Sequence, residues 1–199
     1  MEATDADMDY QRLPLKLPVE LRVPRGFDPD DLSTWPQVDG RLEWVGGRLL
    51  FMPPCGARQS CVALNLAAMV RNWLETHPEF TGGTNEAGIR LGGDRRGADV
   101  AVWRFQKRPL PKGFMRVPPV LAIEVEGKEK PEREPALRAK ARWYLKHDTK
   151  IVWLVLPSKR EVVVVTKRGV SRYGSGEMTP EHPELPDLRE SVDRLFAGI

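Results

Sequence analysis

The sequence predicts an α/β (α+β) protein in which helices flank the faces of a mixed β-sheet. Short β-rich segments alternate with two longer segments of helical periodicity, in the order hairpin, helix, strands, helix, strands. The length of 199 residues predicts a single domain. A composition of 41% hydrophobic and 30% charged residues is typical of a soluble globular chain and excludes collagen-like and strongly disordered classes.

The first 40 residues differ from the rest of the chain. We interpret 1–40 as an N-terminal extension of arm and connecting segments, with one short helix near Asp30–Trp35. Residues 41–199 are predicted to form the folded domain. The extension contains five prolines that would break a long helix: Pro14, Pro18, Pro24, Pro29 and Pro36.

The folded part begins with a hairpin and a helix. The segment LEWVGGRLLFM reads as two strands joined by a turn at Gly46-Gly47. Helical spacing follows from Gln59 to Glu75, and the helix is expected to end before Pro78. Its apolar face consists of Val62, Leu66, Met69, Val70 and Trp73.

The remaining segments predict a sheet and a second helix. A strand is predicted over Thr84–Leu91, a turn around Gly92, Gly93 and Gly97, and a strand from Ala98. The apolar run VLAIEVEG is typical of a strand buried on both faces. A helix over Pro135–Lys146 precedes two further strands, IVWLVLP and EVVVVTKRG, which are expected to pair through a turn at Ser158-Lys159-Arg160.

Composition also limits the location and the partners. Cys55 and Cys61 are the only cysteines and have no histidine pair nearby, so neither a disulfide framework nor a zinc site is predicted. No segment reads as a signal peptide or a membrane span, and a cytoplasmic location without membrane contact is expected. A net charge of +3 is too small to indicate a nucleic-acid partner by itself.

Two acids stand out by position. Asp99 follows the glycine-rich turn, and Glu124 interrupts an apolar strand, where an uncompensated carboxylate is costly. If their strands are neighbours, the two acids converge at one sheet edge, and a hard cation such as Mg²⁺ or Mn²⁺ would relieve their repulsion. The alternative is that Asp99 caps a turn and Glu124 pairs with a buried arginine.

A lysine near these acids would stabilise charge on a reacting phosphate. Lys140 lies on the helix after the Glu124 strand and shares a helical face with Tyr144. Lys128, four residues after Glu124, is the rival candidate.

The ordered series LEWVGGRLLFMPP, GADVAVW, VLAIEVEG, LRAKARWYLK and IVWLVLP resembles the Uma-type endonucleases of bacteria, which belong to the PD-(D/E)XK restriction-endonuclease-like superfamily. The resemblance runs from about Arg41 to Thr166, and LPDLRESVDRLF is similar to the family's usual ending. It implies a restriction-endonuclease-like core and a Mg²⁺- or Mn²⁺-dependent site that hydrolyses nucleic-acid phosphodiester bonds through a metal-activated water.

The resemblance also implies roles for individual residues. Asp99 and Glu124 match catalytic metal ligands, and Lys140 matches a catalytic lysine on the following helix. Glu43 matches an acid of the family's early strand that either completes the metal shell or holds a water, and Tyr144 matches an aromatic residue that packs beside the lysine.

The sequence departs from the family pattern in several places. The segment after the glutamate, usually rich in Ser and Pro, reads Gly127-Lys128-Glu129-Lys130. Ala98 replaces a proline before the aspartate. Glu126 stands at the lysine position of the strand, where it would either add a ligand or be solvated. Arg58 stands where the family often has a histidine.

The implied partner is nucleic acid, expected to be DNA. Arg58, Arg96 and Arg142 are the candidate phosphate contacts, with Arg95 beside them. A homodimer is expected by analogy with nucleases that must cut two strands. The alternative function is a nucleic-acid-binding or interaction module that keeps the fold and lacks catalysis.

Overall fold

The computed structural model describes residues 17–105, 109–127 and 133–199. Nine strands of these residues form one mixed sheet, with three α-helices packed against it. The strands are β1 (Val19–Leu21), β2 (Arg41–Val45), β3 (Arg48–Met52), β4 (Phe80–Leu91), β5 (Asp94–Arg104), β6 (Leu121–Val125), β7 (Ile151–Leu156), β8 (Glu161–Thr166) and β9 (Gly169–Tyr173). The helices are α1 (Ala57–Leu74), α2 (Arg133–Lys146) and α3 (Val192–Leu195).

The strand order is β1-β3-β2-β5-β6-β7-β8-β9, and β4 also pairs with β5. β6 and β7 are parallel, with α2 as the crossover between them, while every other pair is antiparallel. This arrangement confirms the predicted mixed sheet flanked by helices.

The core has two layers because successive side chains of a strand point to opposite faces. On one face, Val62 and Leu66 of α1 pack with Ile123 of β6, and the C-terminal segment that includes α3 joins this layer. On the other face, Ala141 and Tyr144 of α2 pack against β5, β6 and β7. β6 is therefore buried on both faces, as predicted.

The predicted hairpin is confirmed as β2 and β3, where Gly46 and Gly47 take the left-handed φ angles of 58° and 77° that a tight two-residue turn requires. The predicted helices correspond to α1 and α2, and the predicted pair after residue 150 corresponds to β7 and β8.

Some expectations were wrong in detail. The predicted glycine turn is confined to Gly92-Gly93, because β5 already begins at Asp94 and includes Gly97. The short helix near Asp30–Trp35 is a single 3-10 turn over Leu32–Thr34. β1, which pairs with β3, and β9 were not predicted. Lys128 lies outside the described residues.

Candidate active site

The candidate site occupies a gap in the sheet beside β5. One edge of β5 pairs with β4, whereas the opposite edge is divided between two strands. β2 pairs there at Arg95, and β6 pairs at residues 100–102. Among the described residues, no strand pairs on that edge with the backbone between these two contacts, which includes Gly97 and Asp99. Side chains from β2, β6 and α2 fill this gap.

Asp99 lies where the β5–β6 pairing stops. The last backbone pair joins Val100 to Ile123, so Asp99 neighbours Glu124 on the adjacent strand. Its Oδ2 accepts a hydrogen bond of 2.6 Å from the Val125 backbone N–H, and thereby continues the ladder. Its Oδ1 lies 3.5 Å from Gln59 Nε2 and 3.5 Å from the Arg41 guanidinium. Asp99 therefore lies inside a strand and does not cap a turn.

Glu124 is held by two donors from α2. Tyr144 donates to its Oε1 at 2.7 Å, and Lys140 Nζ donates to its Oε2 at 2.9 Å, so its partner is a lysine and not an arginine. Glu124 is only 4% exposed. Burial, together with Asp99 and Glu43, outweighs Lys140 and raises the pKa of Glu124 from 4.5 to about 7.

Glu43 and Lys140 complete the cluster. Glu43 Oε1 lies 2.9 Å from Lys140 Nζ and accepts from the Gly97 N–H, while its Oε2 accepts from Arg96 Nε at 2.9 Å. Burial opposes the charge of both groups and is the largest single effect on each. It is outweighed for Glu43 by Lys140, Arg96 and the hydrogen bonds together, and for Lys140 by the nearby carboxylates together. The pKa of Glu43 is consequently lowered and that of Lys140 is raised above its ordinary value, so Lys140 remains a cation.

The backbone of Gly97 organises these contacts. Its carbonyl accepts from Lys140 Nζ at 2.6 Å and its N–H donates to Glu43. A Cβ at position 97 would lie 2.6 Å from the Glu86 carboxylate and 3.2 Å from the Glu86 Cα, so a larger residue there would displace Glu86. The sequence interpretation assigned this glycine to a turn and missed its role.

Arg41 and Glu86 form a second ion pair at the rim of the gap. Glu86 reaches Arg41 because β4 has a bulge between Thr84 and Ala87, where Asn85 and Glu86 have left-handed φ angles of 56° and 60°. Burial, moderated by Arg41, raises the pKa of Glu86.

The sequence analysis also missed Gln59, Arg41 and Glu86. The local sequence marks the first two of them but not the third. Gln59 is a polar residue in line with the apolar positions Val62 and Leu66 of α1, and that placement marks it as a buried hydrogen-bonding group. Arg41 precedes Glu43 by two residues on one strand face. No local pattern reveals the bulge that brings Glu86 into the site.

Glu126 is buried and not solvated. It is 7% exposed, and its Oε2 accepts hydrogen bonds from the Ser158 hydroxyl and backbone N–H. It lines the same cavity of about 220 Å³ as Glu43, Glu124 and Lys140.

The three predicted phosphate contacts lie in different settings. Arg58 is exposed in the first turn of α1, and Arg142 is exposed on α2. Arg96 is paired with Glu43 and lies 5.1 Å from the Trp143 ring centroid. Arg95 is unsuited to this surface because it is 5% exposed and bonded to Asp30.

The charges in and around the gap favour a divalent cation. Four carboxylates (Glu43, Glu86, Asp99 and Glu124) lie within ion-pair distance of three cations (Arg41, Arg96 and Lys140) in the described part of the chain. A fifth carboxylate, Glu126, lines the same cavity. The formal balance of these eight groups is −2. Burial is the main cause that raises the pKa of Glu124 to about 7, and the charges of Asp99 and Glu43 add to it. All five are hard oxygen donors, the type that Mg²⁺ and Mn²⁺ prefer.

The carboxylates are nevertheless not grouped around a common point. Among residues 17–105, 109–127 and 133–199, no three Asp, Glu, His or Cys side chains converge as metal ligands. The amino group of Lys140 lies between Glu43 and Glu124 instead. The donor chemistry and the charge therefore fit a divalent cation, while these two acids are bridged by a lysine.

Comparison with known proteins relates this arrangement to a family. The sequence model of the Uma2 family, described as "Putative restriction endonuclease", matches residues 29–193. The fold is similar to the crystal structure of "a putative nuclease belonging to DUF820" from Anabaena variabilis, with a TM-score of 0.71 and 16% identity. That match covers 86% of this chain and 98% of the other. No curated protein matches the chain. Within the described residues, no helix is long and apolar enough to cross a membrane.

Proposed function

This chain belongs to the Uma2 family, and we propose that it is a metal-dependent endonuclease that hydrolyses phosphodiester bonds of nucleic acid, expected to be DNA. One observation supports the proposal most strongly. Buried Glu43, Asp99 and Glu124 lie at a gap in the sheet with the Lys140 ammonium held between two of them.

In this proposal Asp99, Glu124 and Glu43 hold Mg²⁺ or Mn²⁺. When bound, the cation supplies Lewis-acid chemistry, polarising an attacking water and the phosphoryl oxygens. Tyr144 and Gln59 donate hydrogen bonds that orient Glu124 and Asp99. Lys140 remains protonated, so it acts as a charge that stabilises the reacting phosphate and not as a base.

The partner surface and the assembly belong to the same proposal. Arg58, Arg96 and Arg142 are proposed phosphate contacts. A homodimer, with one site for each strand, is proposed by analogy with nucleases of this fold. Sedimentation of the full chain with and without duplex DNA tests the assembly.

The decisive assay is digestion of plasmid, single-stranded DNA and RNA with Mg²⁺, with Mn²⁺ and with EDTA. The wild-type protein should cleave only with a divalent metal. Glu124→Gln and Asp99→Asn should each lower the rate about 100-fold or more, because each removes a charged ligand of the cation that would stabilise the transition state. Glu75→Gln, an exposed change at the residue that follows α1, is the matched control.

Retention of nucleic acid without cleavage under every metal would support the alternative, a binding module on the same fold. Cleavage by Glu124→Gln at the wild-type rate, with circular dichroism showing equal folding, would contradict the assigned site.

A further inference from the structure

A larger cleft adjoins the candidate site. It has a volume of about 770 Å³, and we refer to the part formed by Trp35, Gln37, Val38, Asn85 and Phe114 as the aromatic cleft. The cleft and the smaller cavity over Glu124 have three lining residues in common, Arg41, Pro54 and Arg96. A nucleic-acid strand bound at the site would therefore pass from one cavity into the other beside Arg41 and Arg96.

The cleft is shaped by the strained bulge of β4. Two consecutive non-glycine residues, Asn85 and Glu86, hold left-handed backbone angles there. Left-handed angles are uncommon for residues other than glycine, and strain of this kind clusters at ligand sites. The bulge turns Glu86 inward onto Arg41 and leaves Asn85 exposed at the rim.

The side chains of the cleft combine three kinds of chemistry. Trp35 and Phe114 provide aromatic rings 5.8 Å apart, and Val38 adds apolar surface that is 37% exposed. Gln37 and Asn85 are exposed amides, and amides donate to and accept from the polar edges of bases. Arg41 and Arg96 supply positive charge where the cleft meets the site. A planar base attached to a phosphate matches all three.

We propose that the aromatic cleft binds an unpaired nucleobase next to the phosphate that is cleaved. This inference rests on the proposed nuclease function and names its substrate class: nucleic acid with a single-stranded nucleotide at the cut, as in single strands, overhangs or flaps. A cleft of 770 Å³ is the size of a small-molecule site. A base in a duplex is stacked and paired, so it enters such a cleft only after it is unstacked.

The test measures binding separately from cleavage. Fluorescence anisotropy of a labelled 12-nucleotide DNA strand and of its blunt duplex is followed with the full chain in EDTA at low salt. The single strand should bind about tenfold more tightly than the duplex. Trp35→Ala should weaken single-strand binding about tenfold, as expected for one lost stacking contact, and Trp35→Phe should restore most of it.

Gln37→Glu provides a variant that leaves the aromatic packing intact. It places a negative charge at the rim and should weaken single-strand binding with no change in melting temperature. Leu64→Glu is the matched control, since it makes the same charge change at a 69% exposed position outside both cavities.

Each result decides the question. Equal binding of strand and duplex, binding of neither, or equal effects of Gln37→Glu and Leu64→Glu would overturn the inference. If the Trp35 and Gln37 variants cleave duplex DNA at the wild-type rate, the inference about the aromatic cleft is overturned and the proposed nuclease function still holds. Single-strand binding through the cleft without cleavage by any metal would support the base site and refute the nuclease. A wild-type oligomer that Gln37→Glu dissociates would show that a second copy fills the cleft.

Discussion

Lys140 pairs with two of the buried carboxylates in the site. Its ammonium group reaches Glu43 and Glu124 at 2.9 Å and the Gly97 carbonyl at 2.6 Å. A buried ion pair contributes little net stability when intact, but loss of one partner is costly because a buried charge is left alone. The stability of the site therefore depends more on Lys140 than on any single carboxylate.

Lys140→Met should destabilise the protein in a pH-dependent way. At pH 8 the loss should be about 3 kcal/mol, typical of a broken buried pair. The raised pKa of Glu124 means that the folded state keeps a proton that the unfolded state has lost between pH 4.5 and 7. Stability from this group consequently falls as pH rises through that window. The loss in Lys140→Met should thus be smaller at pH 5.5, where Glu124 is neutral.

Urea unfolding at the two pH values checks this expectation. Lys146→Met, an exposed change on the same helix, is the control. An equal loss at pH 5.5 and pH 8 would show that Glu124 is not the charge left unpaired.

At the scale of elements, α2 has to be placed accurately because it carries both Lys140 and Tyr144. Glu134 in its first turn pairs with Arg138, with Lys159 of the β7–β8 turn and with Arg172 of β9. The hydrogen bond from Lys159 is the largest cause that lowers the pKa of Glu134 to about 2, and Arg138 and Arg172 add to it. One carboxylate thus joins the start of α2 to the β7–β8 turn and to β9, the last strand in the order of the sheet.

Glu134→Gln should lower the free energy of unfolding by about 1 kcal/mol at pH 7, a modest value because its partners are partly exposed and screened by solvent. A lowered carboxyl pKa stabilises the fold above pH 4.5, and this contribution is lost as pH falls towards 2. Urea titrations at 0.1 M and 1 M salt measure the effect, which salt should reduce. A loss that does not respond to salt or pH would assign the effect to packing. Glu181→Gln is an exposed control.

The helices and strands also differ in how well their own sequences predict their type and burial. β6, β7 and α1 have strong apolar patterns, so their type and burial follow from local sequence. The VSRY segment of β9 lacks such a pattern and forms a strand only because β8 offers a partner. The same limit applies to the site: Glu124 and Lys140 stand out locally, whereas the contacts of Arg41, Glu86 and Gly97 depend on which strands share an edge of β5.

At the scale of the molecule, several long-range contacts tie the described part of the N-terminal segment to the domain. β1 pairs with β3, and Asp30 bonds to Arg95, which is 5% exposed. The predicted boundary between 1–40 and 41–199 remains a proposal, and these contacts bear on how independently the second part folds.

A chain that starts at residue 41 should melt at a lower temperature than the full chain, because it lacks β1 and leaves Arg95 buried without Asp30. Asp30→Asn should reproduce part of the loss, and Asp39→Asn, an exposed change nearby, should not. Thermal melts followed by circular dichroism decide the matter. Equal melting of the shortened and full chains would establish residue 41 as a true folding boundary.

The formal charge of the site suggests that one divalent cation is its missing counterion. Calorimetric titration of Mn²⁺ into the full chain tests this most directly. The wild-type protein should bind one ion, with an affinity that rises from pH 6 to pH 8 as Glu124, with its pKa of about 7, loses its proton. Asp99→Asn and Glu124→Gln should weaken binding by ~10-fold or more, and Glu75→Gln should not. Equal weak binding by the wild-type protein and both site variants would contradict a metal centre in the gap beside β5.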